Sequence, residues 1–164
     1  MDKFIKDGVQ NKLQHNDLRT YGCYILTLIA WAELAFNKIL IENEQILVKK
    51  FNEWQEKNWI NKLPDEKGVV YPWLRNPVAV FNELALMAGK GDGYFAKVEH
   101  TNGNKDFPKT KRFPVFYERT APNGFDHFAL GELGSNGNIN IIFDSWTNSA
   151  AVKGMPIKNF RRFW

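Results

Sequence analysis

One cysteine, three histidines and a short Asp-Ser-Trp run carry the groups best suited to chemistry in this chain of 164 residues. Cys23 stands in Gly22-Cys23-Tyr24, at the start of an apolar periodic run. A thiol on the first turn of a helix meets the positive end of the helix dipole and unpaired backbone N–H groups, an environment that activates a nucleophile. Gly22 removes a side chain where the backbone turns and a substrate approaches. His127, in Asp126-His-Phe-Ala-Leu-Gly131, is an imidazole at the beginning of an apolar segment, suited to share a proton with a thiol. Asp144, in Ile141-Ile-Phe-Asp-Ser-Trp146, is an acceptor that can orient an imidazole and stabilise its charged form. Nucleophile, base and orienting carboxylate together are the parts of acyl transfer. Each also has a plainer use: a core cysteine, a buried satisfied histidine, a carboxylate at a strand end.

The elements that must position these groups follow from periodicity. Ile25, Leu28, Ile29, Ala32 and Phe36 recur at helical spacing behind Cys23 and predict a helix of about four turns. Asn43 to Trp59 repeats the pattern with Ile46, Leu47, Phe51, Trp54 and Trp59. A third helix is expected after Pro77, through Val80, Phe81, Leu84, Ala85 and Met87, stopped by the run Gly89-Lys-Gly-Asp-Gly93. The second half changes to short β-branched and aromatic segments. Phe113–Tyr117, His127–Leu133 and Ile139–Phe143 read as strands, the last two as a hairpin about Gly134–Asn138. Ile157 to Trp164 reads as a closing strand. Helices first and an antiparallel sheet afterwards predict an α+β fold in one domain, 1–164. In the hairpin, the start of the first strand lies opposite the end of the second, which brings His127 and Asp144 to one sheet edge.

Composition narrows the alternatives. A content of 44% hydrophobic and 15% aromatic residues supports a core and argues against disorder. One cysteine excludes an internal disulfide. His15, His100 and His127 have no i, i+4 spacing and no HExxH pattern, so no zinc site is expected, and acyl transfer through a thiol implies no metal or organic cofactor. The Gly89–Gly93 run lacks the Gly-Lys-Ser/Thr ending of a phosphate loop and reads as a turn. The longest apolar stretch, Tyr24 to Phe36, is interrupted by Thr27 and Glu33 and falls short of the ~20 residues of a membrane span. No signal-peptide pattern opens the chain, which points to the cytoplasm. The net charge of +4 is a mild excess that suits an anionic polymer, cell-wall teichoic acid or nucleic acid, without indicating either, and an ordinary basic protein accounts for it equally; nucleic acid is not the expected partner.

With these residues in view, the chain resembles the papain-like cysteine peptidases, most of all their C39-like branch with its phage and spirochaete members. Gly22-Cys23-Tyr24 is similar to the nucleophile motif. His127–Leu133 and Asn138–Asp144 are similar to the histidine strand and the strand that ends in the acidic residue. Asp144-Ser-Trp146 resembles the Asn-Ser-Trp of papain, with aspartate for asparagine. The resemblance implies a nucleophile helix packed on an antiparallel sheet, and a catalytic triad of Cys23, His127 and Asp144. The family also places a glutamine upstream of the cysteine to complete the oxyanion hole. Asp17 stands at the papain spacing, so Gln14 is the expected substitute and Asn16 the fallback. The implied activity is amide hydrolysis, with a peptidoglycan peptidase or amidase of the phage-lysin (endolysin) kind first, released to the wall by a separate pore. A cysteine peptidase acting on a protein, and a non-catalytic module that binds a peptide or partner, are the alternatives.

Overall fold

The structure, a computed structural model, describes residues 3–91, 98–102, 115–120, 126–133, 139–146 and 157–163. Its helical part is a 3-10 turn, Gln10–Lys12, followed by α1 (Asn16–Tyr21), α2 (Cys23–Phe36), α3 (Glu44–Glu56) and α4 (Pro77–Met87). Strands β1 (Val98–Asn102), β2 (Val115–Thr120), β3 (Asp126–Leu133), β4 (Ile139–Asp144) and β5 (Ile157–Phe163) follow.

Helix α2 is the centre of the core. Every residue from Ile25 to Glu33 is buried, more than a single apolar stripe requires, because a helix hydrophobic all round must be covered on all sides. The two polar residues of that stretch are accommodated by partners. Thr27 Oγ1 donates to the Phe128 carbonyl at 3.1 Å, tying α2 to β3. Glu33 Oε1 accepts from the backbone N–H groups of Leu40 and Ile41 at 3.0 and 3.1 Å. The helix stops at Asn37, whose left-handed φ of 49° turns its N–H back to the last carbonyls.

Helices α3 and α4 are N-capped by asparagines, whereas α1 is capped by His15. Asn43 Oδ1 accepts from Ile46 N–H and Asn76 Oδ1 from Ala79 N–H, each at 3.0 Å. Helix α3 buries Leu47, Phe51 and Trp54. It ends before Trp59, although the apolar period continues, because Asn58 adopts φ 58° and breaks the ladder. Helix α4 begins with Pro77 at its first turn and stops before Gly89, which has φ 84°. Its Phe81 lies 4.3 Å, ring to ring, from Trp31 of α2.

The sheet is antiparallel, in the order β1-β5-β2-β3-β4. Mixed helix and antiparallel sheet is α+β, as the pattern of the two halves predicts. Strand β5 runs between β1 and β2, an interior place that its position in sequence does not reveal. Strand β1 and helix α1 have no counterpart in the periodicity reading. Strands β3 and β4 pair as the hairpin requires. The connecting turn 134–138, residues 113–114, residues 92–93 of the glycine run, and Trp164 lie outside the described residues. Among the described residues, no helix is long and apolar enough to cross a membrane.

Candidate active site

Cys23 is the first residue of α2, directly after the sharp junction with α1. Gly22 donates its N–H to the Leu18 carbonyl at 2.9 Å, and its own carbonyl accepts from Leu26 N–H at 2.8 Å. A Cβ on Gly22 would sit 2.3 Å from the Leu18 carbonyl oxygen. Glycine is needed there for space rather than for conformation, since its φ is an ordinary −76°. Cys23 is half-buried.

His127 lies near the start of β3, only 2% exposed. Its Nε2 stands 2.7 Å from Asp144 Oδ1, and the Trp146 ring stacks on the imidazole at 5.0 Å, 18° from parallel. Burial pulls the imidazole pKa down. Side-chain hydrogen bonds to Asp144 and Cys23, with the negative charge of both, outweigh it and raise the pKa to about 9. Because Nε2 faces Asp144, Nδ1 is the nitrogen left for the Cys23 sulfur.

Asp144 is held in turn by several contacts. Its Oδ1 also accepts from Trp146 N–H at 2.9 Å, and its backbone N–H donates to Asp7 Oδ1 at 2.9 Å. The segment before the 3-10 turn runs alongside the end of β4: Gly8 N–H donates to the Asp144 carbonyl and Gln10 N–H to the Ser145 carbonyl, both at 3.0 Å. The Gln10 side chain, 1% exposed, spans the two halves of the site. Its Oε1 accepts from Ser145 Oγ at 2.7 Å, while its Nε2 donates to the Arg19 carbonyl at 3.0 Å. The Arg19 carbonyl, which can only accept, therefore decides which way round the amide sits, and the Ser145 hydroxyl donates to the oxygen that is left.

Cys23, His127 and Asp144 are thus brought together, from a helix start, a strand start and a strand end. Gln14 is not part of this group. It is exposed, its backbone N–H donates to Glu44 Oε1 at 2.7 Å, and it does not line the cleft beside Cys23. Asn16 is exposed as well, and its Oδ1 accepts from Arg19 Nη2 at 3.1 Å. Of the amide side chains upstream of Cys23, Gln10 and Asn11 line the cleft, and Gln10 is the buried one; the upstream spacing of the papain pattern singles out neither. Only burial and the contact with Ser145 distinguish Gln10.

A cleft of about 730 Å³ opens over Cys23 and His127, and Gln10 also lines it. Most of its wall is apolar or aromatic, with Tyr21, Tyr24, Trp73, Phe128 and Trp146 prominent. Tyr24 and Phe128 stack at 4.2 Å beside the thiol, joining α2 to β3. Among the described residues, no cluster of three His, Cys, Asp or Glu side chains forms a metal cage. The arrangement offers a nucleophile, a buried base with its carboxylate, an amide donor and a largely apolar groove, which together suit attack on a carbonyl carbon. No family model matches the chain, and no curated protein or solved structure matches it either.

Proposed function

We propose that this chain is a cysteine hydrolase that cleaves amide bonds through Cys23, His127 and Asp144. The observation that carries the proposal is the hydrogen-bonded series from Cys23 through His127 to Asp144, opening onto an apolar cleft. The resemblance to papain-like, C39-like peptidases belongs to the same proposal. Its support is the placing of cysteine at a helix start, histidine at a strand start and aspartate at a strand end.

In the proposed reaction the Cys23 sulfur, its proton transferred to His127, attacks the amide carbonyl and forms a C–S bond. The oxyanion that develops is met by the Cys23 N–H and by the Gln10 amide, in the role for which Gln14 was the expectation from sequence. The imidazolium, its charge balanced by Asp144, gives its proton to the leaving nitrogen as the C–N bond breaks. Water, deprotonated by His127, then hydrolyses the thioester and returns the thiol. A cell-wall stem peptide and a protein are both amide substrates for this chemistry.

Alkylation of Cys23 by iodoacetamide between pH 4 and 10, with His127→Ala in parallel, tests the pair. Rapid alkylation that persists below pH 7 and disappears in the variant is the expected result. An inflection near the ~8.5 of a free thiol, the same in both proteins, would exclude the active pair and leave a peptide-binding module.

A further inference from the structure

Two short segments bring polar side chains to the cleft. Asn11 directly follows Gln10, and Arg19 and Thr20 stand in the last turn of α1; all three are exposed and line the cleft. The 3.0 Å bond from Gln10 Nε2 to the Arg19 carbonyl ties the two segments together. Arg19 is therefore anchored, through its backbone, to the amide assigned to the oxyanion.

The lining holds no Asp, Glu or Lys, so Arg19 brings a positive charge that no acidic side chain of the cleft offsets. Its Nη2 donates to Asn16 Oδ1 at 3.1 Å, a neutral acceptor one turn back on α1. Among the described residues no carboxylate pairs with it. Asp17, its near neighbour in sequence, points to another side of α1. The bond to Asn16 steadies the guanidinium yet occupies only part of its planar fork, which leaves donors for a second acceptor. A charge at the rim of a groove with apolar walls keeps more of its attraction than one in open water. Thr20, and Tyr21 and Tyr71, whose rings meet edge-on at 5.7 Å, add hydroxyl donors to the same lining.

We propose that Arg19 anchors a carboxylate of the substrate, and that the peptide cut at Cys23 is acidic close to the scissile bond. The inference rests on the hydrolase reading above and names its substrate class. A guanidinium takes a carboxylate through two parallel N–H bonds, a geometry that a neutral amide or a cationic side chain cannot satisfy. The carboxylate has two sources, the side chain of an acidic residue and a free chain end, and both present the same pair of oxygens to Arg19.

NMR titration of the Cys23→Ala protein at low salt, in which no turnover occurs, decides the matter. The probes are N-acetyl-Ala-Glu-amide, N-acetyl-Ala-Ala with a free terminal carboxylate, and the neutral N-acetyl-Ala-Gln-amide. At least one of the first two should bind about fivefold or more tightly than the third, the scale of a charge-assisted hydrogen bond. Whichever gains identifies the source of the carboxylate. Added salt should shrink the difference. Arg19→Ala, which keeps the backbone carbonyl for Gln10, should abolish it. Arg19→Lys, a point charge without the fork, should keep part of it. Unfolding temperatures confirm that both variants fold. Equal affinity for all three probes, a carboxylate preference that survives Arg19→Ala, or binding of none would overturn the proposal. Failure of the hydrolase reading is seen separately in Cys23 alkylation of the native chain. Carboxylate preference with an ordinary thiol removes only the hydrolase, and a reactive thiol without that preference removes only the Arg19 anchor.

Discussion

His127 and Asp144 face each other across 2.7 Å because the register between β3 and β4 steps by one residue. Near the turn, Leu133 pairs with Ile139 and Gly131 with Ile141, but beyond the step Leu130 pairs with Phe143 and Ala129 with Asp144. Ile142 is the extra residue. In an unbroken register Asp144 would lie opposite Phe128, on the other face of the sheet from His127, since successive residues alternate faces. The step moves Asp144 opposite Ala129, two residues from His127 and on the same face, within reach of a diagonal contact.

Asp144→Ala leaves the His127 imidazole in its buried place without its acceptor. We expect Cys23 alkylation below pH 7 to fall and amide hydrolysis to drop about 10²-fold or more, the scale of a lost acid–base partner. Histidine NMR should show the His127 titration moving down from about 9. An unchanged titration would mean that Asp144 does not govern the imidazole.

The pH dependence of stability follows from the same pair. The folded pKa of His127, about 9, lies above its ordinary 6.5, so folding favours the protonated ring. That contribution is fully present below about pH 6.5 and is lost as pH rises through 9. The unfolding temperature should therefore decline between those values, and the decline should flatten in His127→Gln. Hydrolysis should show an alkaline limb near pH 9, where the proton for the leaving nitrogen is lost.

Gln10 and Gln14 are separated by a simple comparison. Gln10→Ala should reduce kcat about 10²–10³-fold through loss of an oxyanion donor. It should also cost about 1–3 kcal/mol of stability, because the Ser145 hydroxyl and the Arg19 carbonyl lose their buried partner. Gln14→Ala, at an exposed position away from the cleft, should leave both within experimental error. Steady-state kinetics and chemical denaturation of the two variants provide the check, and equal effects would contradict the assignment of Gln10.

Gly22→Ala forces a methyl group against the Leu18 carbonyl oxygen. Relief requires α1 and the start of α2 to move apart, at a cost of about 1–3 kcal/mol. Cys23 moves with the helix start, so its alkylation rate below pH 7 should fall. A variant with native stability and native alkylation would show that the junction relaxes without displacing the thiol.

The sequence alone determined the local elements and the chemical types at the site. Apolar period, asparagine caps, Pro77 and Gly89 set α2, α3 and α4, because helix formation and capping act over a few neighbouring residues. The same local rules indicated β3, β4 and their pairing, and with it the approach of His127 to Asp144. The end of α3 was less legible, since the left-handed turn at Asn58 overrides an apolar period that runs on to Trp59. Tertiary structure decided what depends on contacts distant in sequence. The extra residue in β4 chose the face on which Asp144 lies, the segment before α1 brought Gln10 rather than Gln14 to the cysteine, and β5 took an interior place in the sheet. None of these leaves a periodic trace, because each is settled by which buried polar groups find partners once the two halves of the chain pack together.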